Sequence, residues 1–283
     1  PTPAPAPAPA PVVAPVAVPG AETPALPSFM APNGAKGDLA AACTDAMLKV
    51  STKGGYDTVA TMTDANVALT EQFCLARGAA ITTGQALAAK VAGFTPEQIA
   101  QQCAGFAPML KDQVAALSLR PEDEVLASTE AFILQSGMSA AQLSGTAKVC
   151  LGVGYEKEQM DVAIASALLL TAMGEKGYAE VLGHHLSQGF GAAERPDLAA
   201  QWYDVALGAM AGGDLFAPAM AGRADLLKKA AYTAAGRTAE LAPEATVQEA
   251  AMPSFIVEPV PAPVAAPAPA PAPAPAAVAP AAP

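Results

Sequence analysis

From Gly37 to Leu241 the apolar residues recur every three or four positions. There are few β-branched runs, no apolar/polar alternation and no Asn-Gly hairpin turn in this stretch. That pattern predicts helices throughout and no strands. Asp38 is placed to cap a helix running to Val50. A second helix is predicted from a Thr63 cap to a Gly78 stop, and a third over Gly84–Ala92, stopped by Gly93. T-P-E-Q (Thr95 to Gln98) opens the next, with Thr95 as cap, Pro96 in the first helical position and Glu97 in the first turn. R-P-E-D-E (Arg120 to Glu124) is a similar start, and Met138–Gly154 is read with a Ser139 cap and a Gly154 stop. Asp161–Met173 is strongly apolar on every face and ends at Gly174. Its apolar run is about a dozen residues, short of the ~20 a membrane span needs, so it predicts a buried helix.

Composition sharpens the boundaries. Of 28 prolines, 11 lie in residues 1–32 and 11 in residues 253–283, leaving 6 for the stretch between. Alternating Ala-Pro has almost no side chain to bury and lacks half its backbone donors, so both ends are expected as disordered, extended spacers. The predicted divisions are a tail over 1–35, a cysteine-bearing helical region over 36–155, a second helical region over 156–242 and a tail over 243–283. The net charge of −11 offers no basic patch for nucleic acid and disfavours anionic lipid. The sequence begins at Pro1, so the chain is expected to be either processed or a fragment; a mature exported protein would begin this way after signal-peptide cleavage.

The four cysteines are Cys43, Cys74, Cys103 and Cys150. None forms C-x-x-C and the chain has 2 histidines, which argues against a zinc site. Their surroundings repeat. M-T-D-A-N-V-A-L-T-E-Q-F-C-L-A-R-G (Met62 to Gly78) aligns without a gap on M-S-A-A-Q-L-S-G-T-A-K-V-C-L-G-V-G (Met138 to Gly154). L-A-A-A-C (Leu39 to Cys43) corresponds to I-A-Q-Q-C (Ile99 to Cys103). Each copy is a helix with a cysteine, a connection, and a second helix with a cysteine; the second copy's connection is roughly 16 residues longer. Four cysteines allow three pairings. Duplication favours closing each unit on itself, as Cys43–Cys74 and Cys103–Cys150. Such bridges suit an exported protein with few large side chains; four buried thiols in a reducing compartment is the alternative.

The stretch Tyr178 to Ala206 has a different character: Leu182-Gly183, a Gly189-Phe190-Gly191 loop, Asp197, then Ala200, Trp202-Tyr203 and Ala206. It resembles the Sel-one-like repeat, a member of the tetratricopeptide class of helical repeats, with Leu186 where the family has its first-helix tyrosine. The match covers about a tenth of the chain. Residues 161–177 would be the end of a preceding unit and residues 214–231 the start of a following one, although Leu215 to Gly222 lacks the Leu-Gly signature. The resemblance implies an all-α, αα-hairpin stack of solenoid type, used for protein–protein contact in exported bacterial adaptors. It implies no catalytic residues and places Trp202 and Tyr203 among the candidate partner-binding residues.

The remaining chemistry is sparse. His184 and His185 are adjacent on a helix and point about 100° apart, so they cannot chelate one ion together; one is expected packed and one exposed. The G-F-G and G-V-G triplets follow no strand and are not dinucleotide loops. The methionines read as gap-fillers, Glu122 to Glu124 as a helix start, and there is no Gly-x-Ser-x-Gly. Pro-Ser-Phe recurs at both tail junctions, in P-A-L-P-S-F-M-A-P (Pro24 to Pro32) and A-M-P-S-F-I-V-E-P (Ala251 to Pro259). Phe29 and Phe255 could anchor on a partner, fold back to cap the ends of the helical stack, or reflect biased composition. The expectation is a periplasmic or extracellular, non-enzymatic interaction or scaffold protein that needs no cofactor, with a protein partner or its own copies as its associates. A cell-wall- or antibiotic-directed hydrolase on a helical-repeat scaffold, whose activity would fall with His184→Ala or His185→Ala, and a small-ligand carrier are the alternatives.

Overall fold

The computed structural model describes residues 37–241. Both Pro/Ala segments, with Phe29 and Phe255, lie outside them. The described residues form helices and contain no strand. In chain order the helices are α1 (Leu39–Lys53), α2 (Ala65–Ala88), α3 (Pro96–Cys103), α4 (Phe106–Met109), α5 (Lys111–Ala116), α6 (Glu122–Ser136), α7 (Ala140–Glu156), α8 (Met160–Ala172), α9 (Ala179–Gln188), α10 (Pro196–Ala211) and α11 (Arg223–Ala234). Single 3-10 turns occupy Lys176–Tyr178 and Thr238–Leu241.

The local starts follow the capping chemistry. The Asp38 carboxylate accepts the amides of Ala40 and Ala41. Thr95 and Gln98 form a reciprocal capping box with Pro96 in the first turn, satisfying amides that a helix start leaves without partners. Ser139 caps α7. The cap of α2 is Asp64, one residue past Thr63. A carboxylate takes two amides there, those of Asn66 and Val67.

Gly78 and Gly154 stop nothing. Gly78 sits in the middle of α2, which continues into the segment expected as a separate helix as far as Ala88, and α7 runs past Gly154 to Glu156. A glycine ends a helix when it turns left-handed, as Gly54, Gly137 and Gly174 do; Gly78 and Gly154 keep negative φ. Gly154 instead lets α8 approach, a methyl there falling 2.8 Å from the Ala163 nitrogen. α2 and α7 cross at Gly84 and Gly152, where a methyl on Gly152 would lie 2.7 Å from the Ala80 carbonyl oxygen and 2.9 Å from Gly84 Cα.

Both disulfides close the duplicated units on themselves, Cys43–Cys74 joining α1 to α2 and Cys103–Cys150 joining α3 to α7. The Cα separations are 5.3 and 5.0 Å, as a disulfide requires. α2 and α7 are therefore the two central helices, each with a short stapled companion. α4, α5 and α6 fill the second unit's longer connection and pack on α8. α8 is buried on all sides from Val162 to Thr171. Its Ser166 and Thr171 hydroxyls donate to the carbonyls of Val162 and Ala167, four residues back, so no polar group is stranded.

α9 and α10 form the expected αα-hairpin, and α11 packs on α10. α2 also touches α1, α7, α9 and α11, beyond the neighbour-only contacts of a solenoid. One apolar core runs from Leu39 and Phe73 through Tyr155 and Leu168 to Trp202 and Leu227.

Candidate functional site

The α9–α10 hairpin explains its own motif. Tyr203 lies flat over Gly183, where a Cβ would meet its ring atoms at 3.1 Å. Gly189 and Gly191 both take φ +71°, and a side chain on Gly191 would overlap Met160. The G-F-G triplet is thus a tight turn under α8. All ten residues of α9 are buried, because α2, α8 and α10 pack around it.

Burial of α9 takes in both histidines, so neither is the exposed one expected. It also takes in Glu180, which accepts from Arg223 of α11: Nη1 reaches Glu180 Oε2 at 3.0 Å and Nη2 reaches Oε1. Arg223 Nε donates to Gln72 Oε1 at 2.8 Å. His184 Nε2 lies 3.1 Å from Glu180 Oε1, and a carboxylate can only accept, so Nε2 carries the proton. Its Nδ1 lies 2.7 Å from the Tyr203 hydroxyl, which contacts Ser187 Oγ at 3.1 Å. Phe73 stacks on the His184 ring, with centroids 5.1 Å apart. Burial alone would push the Glu180 carboxyl up, but the Arg223 charge and the His184 hydrogen bond hold it below the usual range. Burial pushes the His184 imidazole down, against the pull of Glu180. The resting state is an ionised Glu180–Arg223 pair beside a neutral His184.

His185 is held as separately. The Phe190 carbonyl accepts from Nδ1–H at 2.6 Å, leaving Nε2 to accept the Tyr155 hydroxyl at 3.0 Å. Burial lowers its pKa from an ordinary 6.5 to about 4, against the opposing Phe190 hydrogen bond. Between those values the unfolded chain binds the proton and the folded chain does not. Stability is therefore expected to decline as pH falls below about 6.5, by about 3 kcal/mol in all from this residue. Urea midpoints measured from pH 7 to 4 check the trend. The ring nitrogens should still show the neutral Nδ1–H tautomer at pH 5; an imidazolium spectrum there would contradict the assignment.

Glu180, His184, Tyr203 and Ser187 make an acid–imidazole–hydroxyl row that could relay a proton in an open cleft. Here all four side chains are buried. Trp202 and Tyr203 are core residues too, 0% and 1% exposed, and present no surface for a partner. Their aromatic bulk is spent on joining α9 to α10.

Open apolar surface among the described residues includes a face along α7 in the cysteine-bearing region. One cavity of about 390 Å³ is bounded by Gly84 and Ala88 of α2, Pro96 and Ile99 of α3, and Val153 with Glu156 of α7. A second, of about 450 Å³, adjoins it along α7, reaching Ala141 and the Cys103–Cys150 bridge. Val91, Phe94 and Ile99 line both. Val91 and Phe94 are 40% and 47% exposed. Together the cavities follow α7 from Ala141 to Lys157, ~24 Å at 1.5 Å per residue. Phe94 immediately precedes the Thr95 cap and Ile99 is the fourth residue of α3, the two hydrophobic-staple positions. That spacing was the readable signal for this groove. Arg223 and Glu180 gave none, being 43 residues apart and each ordinary on a helix face.

One end of the groove is fixed by Glu158, a non-glycine residue at φ 55°. Its carboxylate accepts the Leu39 amide at 3.0 Å and Arg77 Nη2 at 2.9 Å. The left-handed conformation costs ~1–2 kcal/mol and lets one side chain tie the start of α1 to α2 and the end of α7.

Comparison with protein-family models, with curated proteins and with solved structures finds no match to this chain. The described residues are all-helical, with two disulfide bridges. Among the described residues no helix is long and apolar enough to cross a membrane.

Proposed function

We propose that the protein is an exported, non-enzymatic interaction module that holds an extended, uncharged, apolar segment of a protein partner along α7. The observation that carries this reading is the groove: two adjoining apolar cavities with Val91 and Phe94 standing exposed between them. Partially exposed aromatic anchors beside concave apolar surface are what segment recognition uses. Two disulfides and the lack of a spanning helix among the described residues are compatible with a periplasmic or extracellular setting. Burial of the acid–imidazole–hydroxyl row supports a non-enzymatic role. The α9–α10 hairpin supports the likeness to a Sel-one-like unit, with its aromatic pair acting as internal packing.

Phe94→Asp is the direct test. Phe94 is half exposed, so the change should move stability by less than about 1 kcal/mol while putting a charge into the groove. Recovery of crosslinked partner from native material should drop at least tenfold. Full recovery with the variant would take the binding face off this groove. The cavity volumes also fall within the range of small-ligand sites, which favours a carrier as the second reading; native mass spectrometry showing a retained small molecule would select it.

A further inference from the structure

We infer that the groove's resident occupant is the chain's own segment from Ala25 to Pro32, bound within the same molecule through Leu26, Phe29 and Met30. This rests on the groove being a segment-binding face. The argument begins where the described body starts. The Leu39 amide is held by Glu158, and Glu156 and Lys157, the two residues before it, line the near end of the groove. The N-terminal segment therefore joins the body beside the groove.

Its length fits. Ten residues separate Phe29 from Leu39, a reach of ~31 Å in polyproline-II form, against ~24 Å of groove. Its chemistry fits as well. Thr23 to Ala35 carries no charge, and Leu26, Phe29 and Met30 are the large apolar side chains in a stretch otherwise made of Pro, Ala, Ser, Thr, Asn and Gly. The groove between Val91, Phe94 and Val149 is lined mainly by apolar side chains. Prolines at 24, 27 and 32 restrict the unbound segment, which lowers the entropy lost on docking. The second Pro-Ser-Phe, at Phe255, is flanked by Glu249 and Glu258, charges that the groove's mainly apolar lining disfavours. A partner segment would then have to displace a tethered competitor at millimolar effective concentration.

The test uses the full chain with p-benzoylphenylalanine replacing Phe29, prepared as an equal mixture of natural-abundance and ¹⁵N-labelled protein. The substitution lies outside the described residues. Irradiation should crosslink position 29 to residues 87–106 or 141–157, with both peptides of each crosslink carrying the same isotope. Mixed-isotope crosslinks would assign the groove to a second copy and overturn the inference. Crosslinks elsewhere, or none, would also overturn it, as would groove crosslinks from position 255 in place of 29. The two readings fail separately. If Phe94→Asp loses the partner while position 29 never reaches the groove, segment binding stands and self-occupancy falls. If position 29 sits in the groove and Phe94→Asp keeps the partner, self-occupancy stands and partner binding there falls.

Discussion

Replacing Arg223 with methionine should cost the fold about 3–5 kcal/mol, a loss of roughly a hundredfold to several thousandfold in the folding equilibrium. Glu180 is 0% exposed and its carboxylate takes both terminal nitrogens of Arg223. Without the guanidinium, a buried carboxylate keeps a hydrogen bond from His184 and little else. It must then pick up a proton or draw water into the core. The loss should come from the stranded charge more than from the pair's own strength, because burying two ions costs nearly what their attraction returns. A Glu180→Gln/Arg223→Met double variant, which still offers His184 an acceptor, should therefore recover more than half of the loss.

The pH dependence carries a sign that packing alone would not. In the native protein the Glu180 carboxyl is held low; its contribution is present above the unfolded value of 4.5 and is lost as pH falls through the folded one. In Arg223→Met the folded value rises above the unfolded one, so protonation on acidification relieves the strain. The stability gap between variant and native protein should narrow from pH 7 to pH 5. Taking the difference cancels the His185 contribution that both share. Urea unfolding at the two pH values measures it; a gap below 1 kcal/mol, or one that widens with acid, would mean the pair is solvated.

Much of the fold could be read from the chain because local chemistry dictated it. The Thr95 capping box, the Asp38 cap, the all-apolar α8 and the α9–α10 hairpin are each specified within a few residues. The disulfide pairing followed from the duplication. What could not be read was decided by distant partners. Gly78 and Gly154 look like stops in isolation, yet α2 and α7 support one another along their length and carry helix through both. Glu180 and His184, four residues apart, have the spacing of a solvated helix face; α2, α10 and α11 cover that face. Periodicity assigns polar positions to water only when one side of a helix is left open, and α9 has no open side. The groove was half legible. Phe94 and Ile99 occupy staple positions, but their exposure depends on how α7 and the end of α2 pass beneath them.

Loss of the Cys103–Cys150 bridge should release α3 and take the groove with it. The bridge closes a 47-residue separation, worth about 4 kcal/mol by loop-closure entropy, and the Cys43–Cys74 bridge closes 31 residues for nearly as much. The two should nevertheless fail differently. α3 has eight residues and buries only Ile99 and Cys103. One buried isoleucine contributes ~1.5–3 kcal/mol, less than the cost of ordering eight residues at ~1 kcal/mol each, so the disulfide decides whether α3 stays docked. α1 has fifteen residues, buries Leu39, Ala46 and Val50 as well as Cys43, and is tied by Glu158 at its start and by the Lys53–Glu71 ion pair at its end. A Cys103→Ser/Cys150→Ser variant should speed amide exchange in α3 by 100-fold or more while α1 keeps its protection. A Cys43→Ser/Cys74→Ser variant should lower the global urea midpoint and leave α1 docked. Equal loosening of α1 and α3 in both variants would show that packing, not the bridge, holds α3. With α3 gone, the pairing of Phe94 with Ile99 over α7 no longer exists. A reducing environment would then abolish the proposed segment binding without unfolding α2, α7 or α8, and binding assays with and without reductant should show that loss while helix content falls by no more than the eight residues of α3.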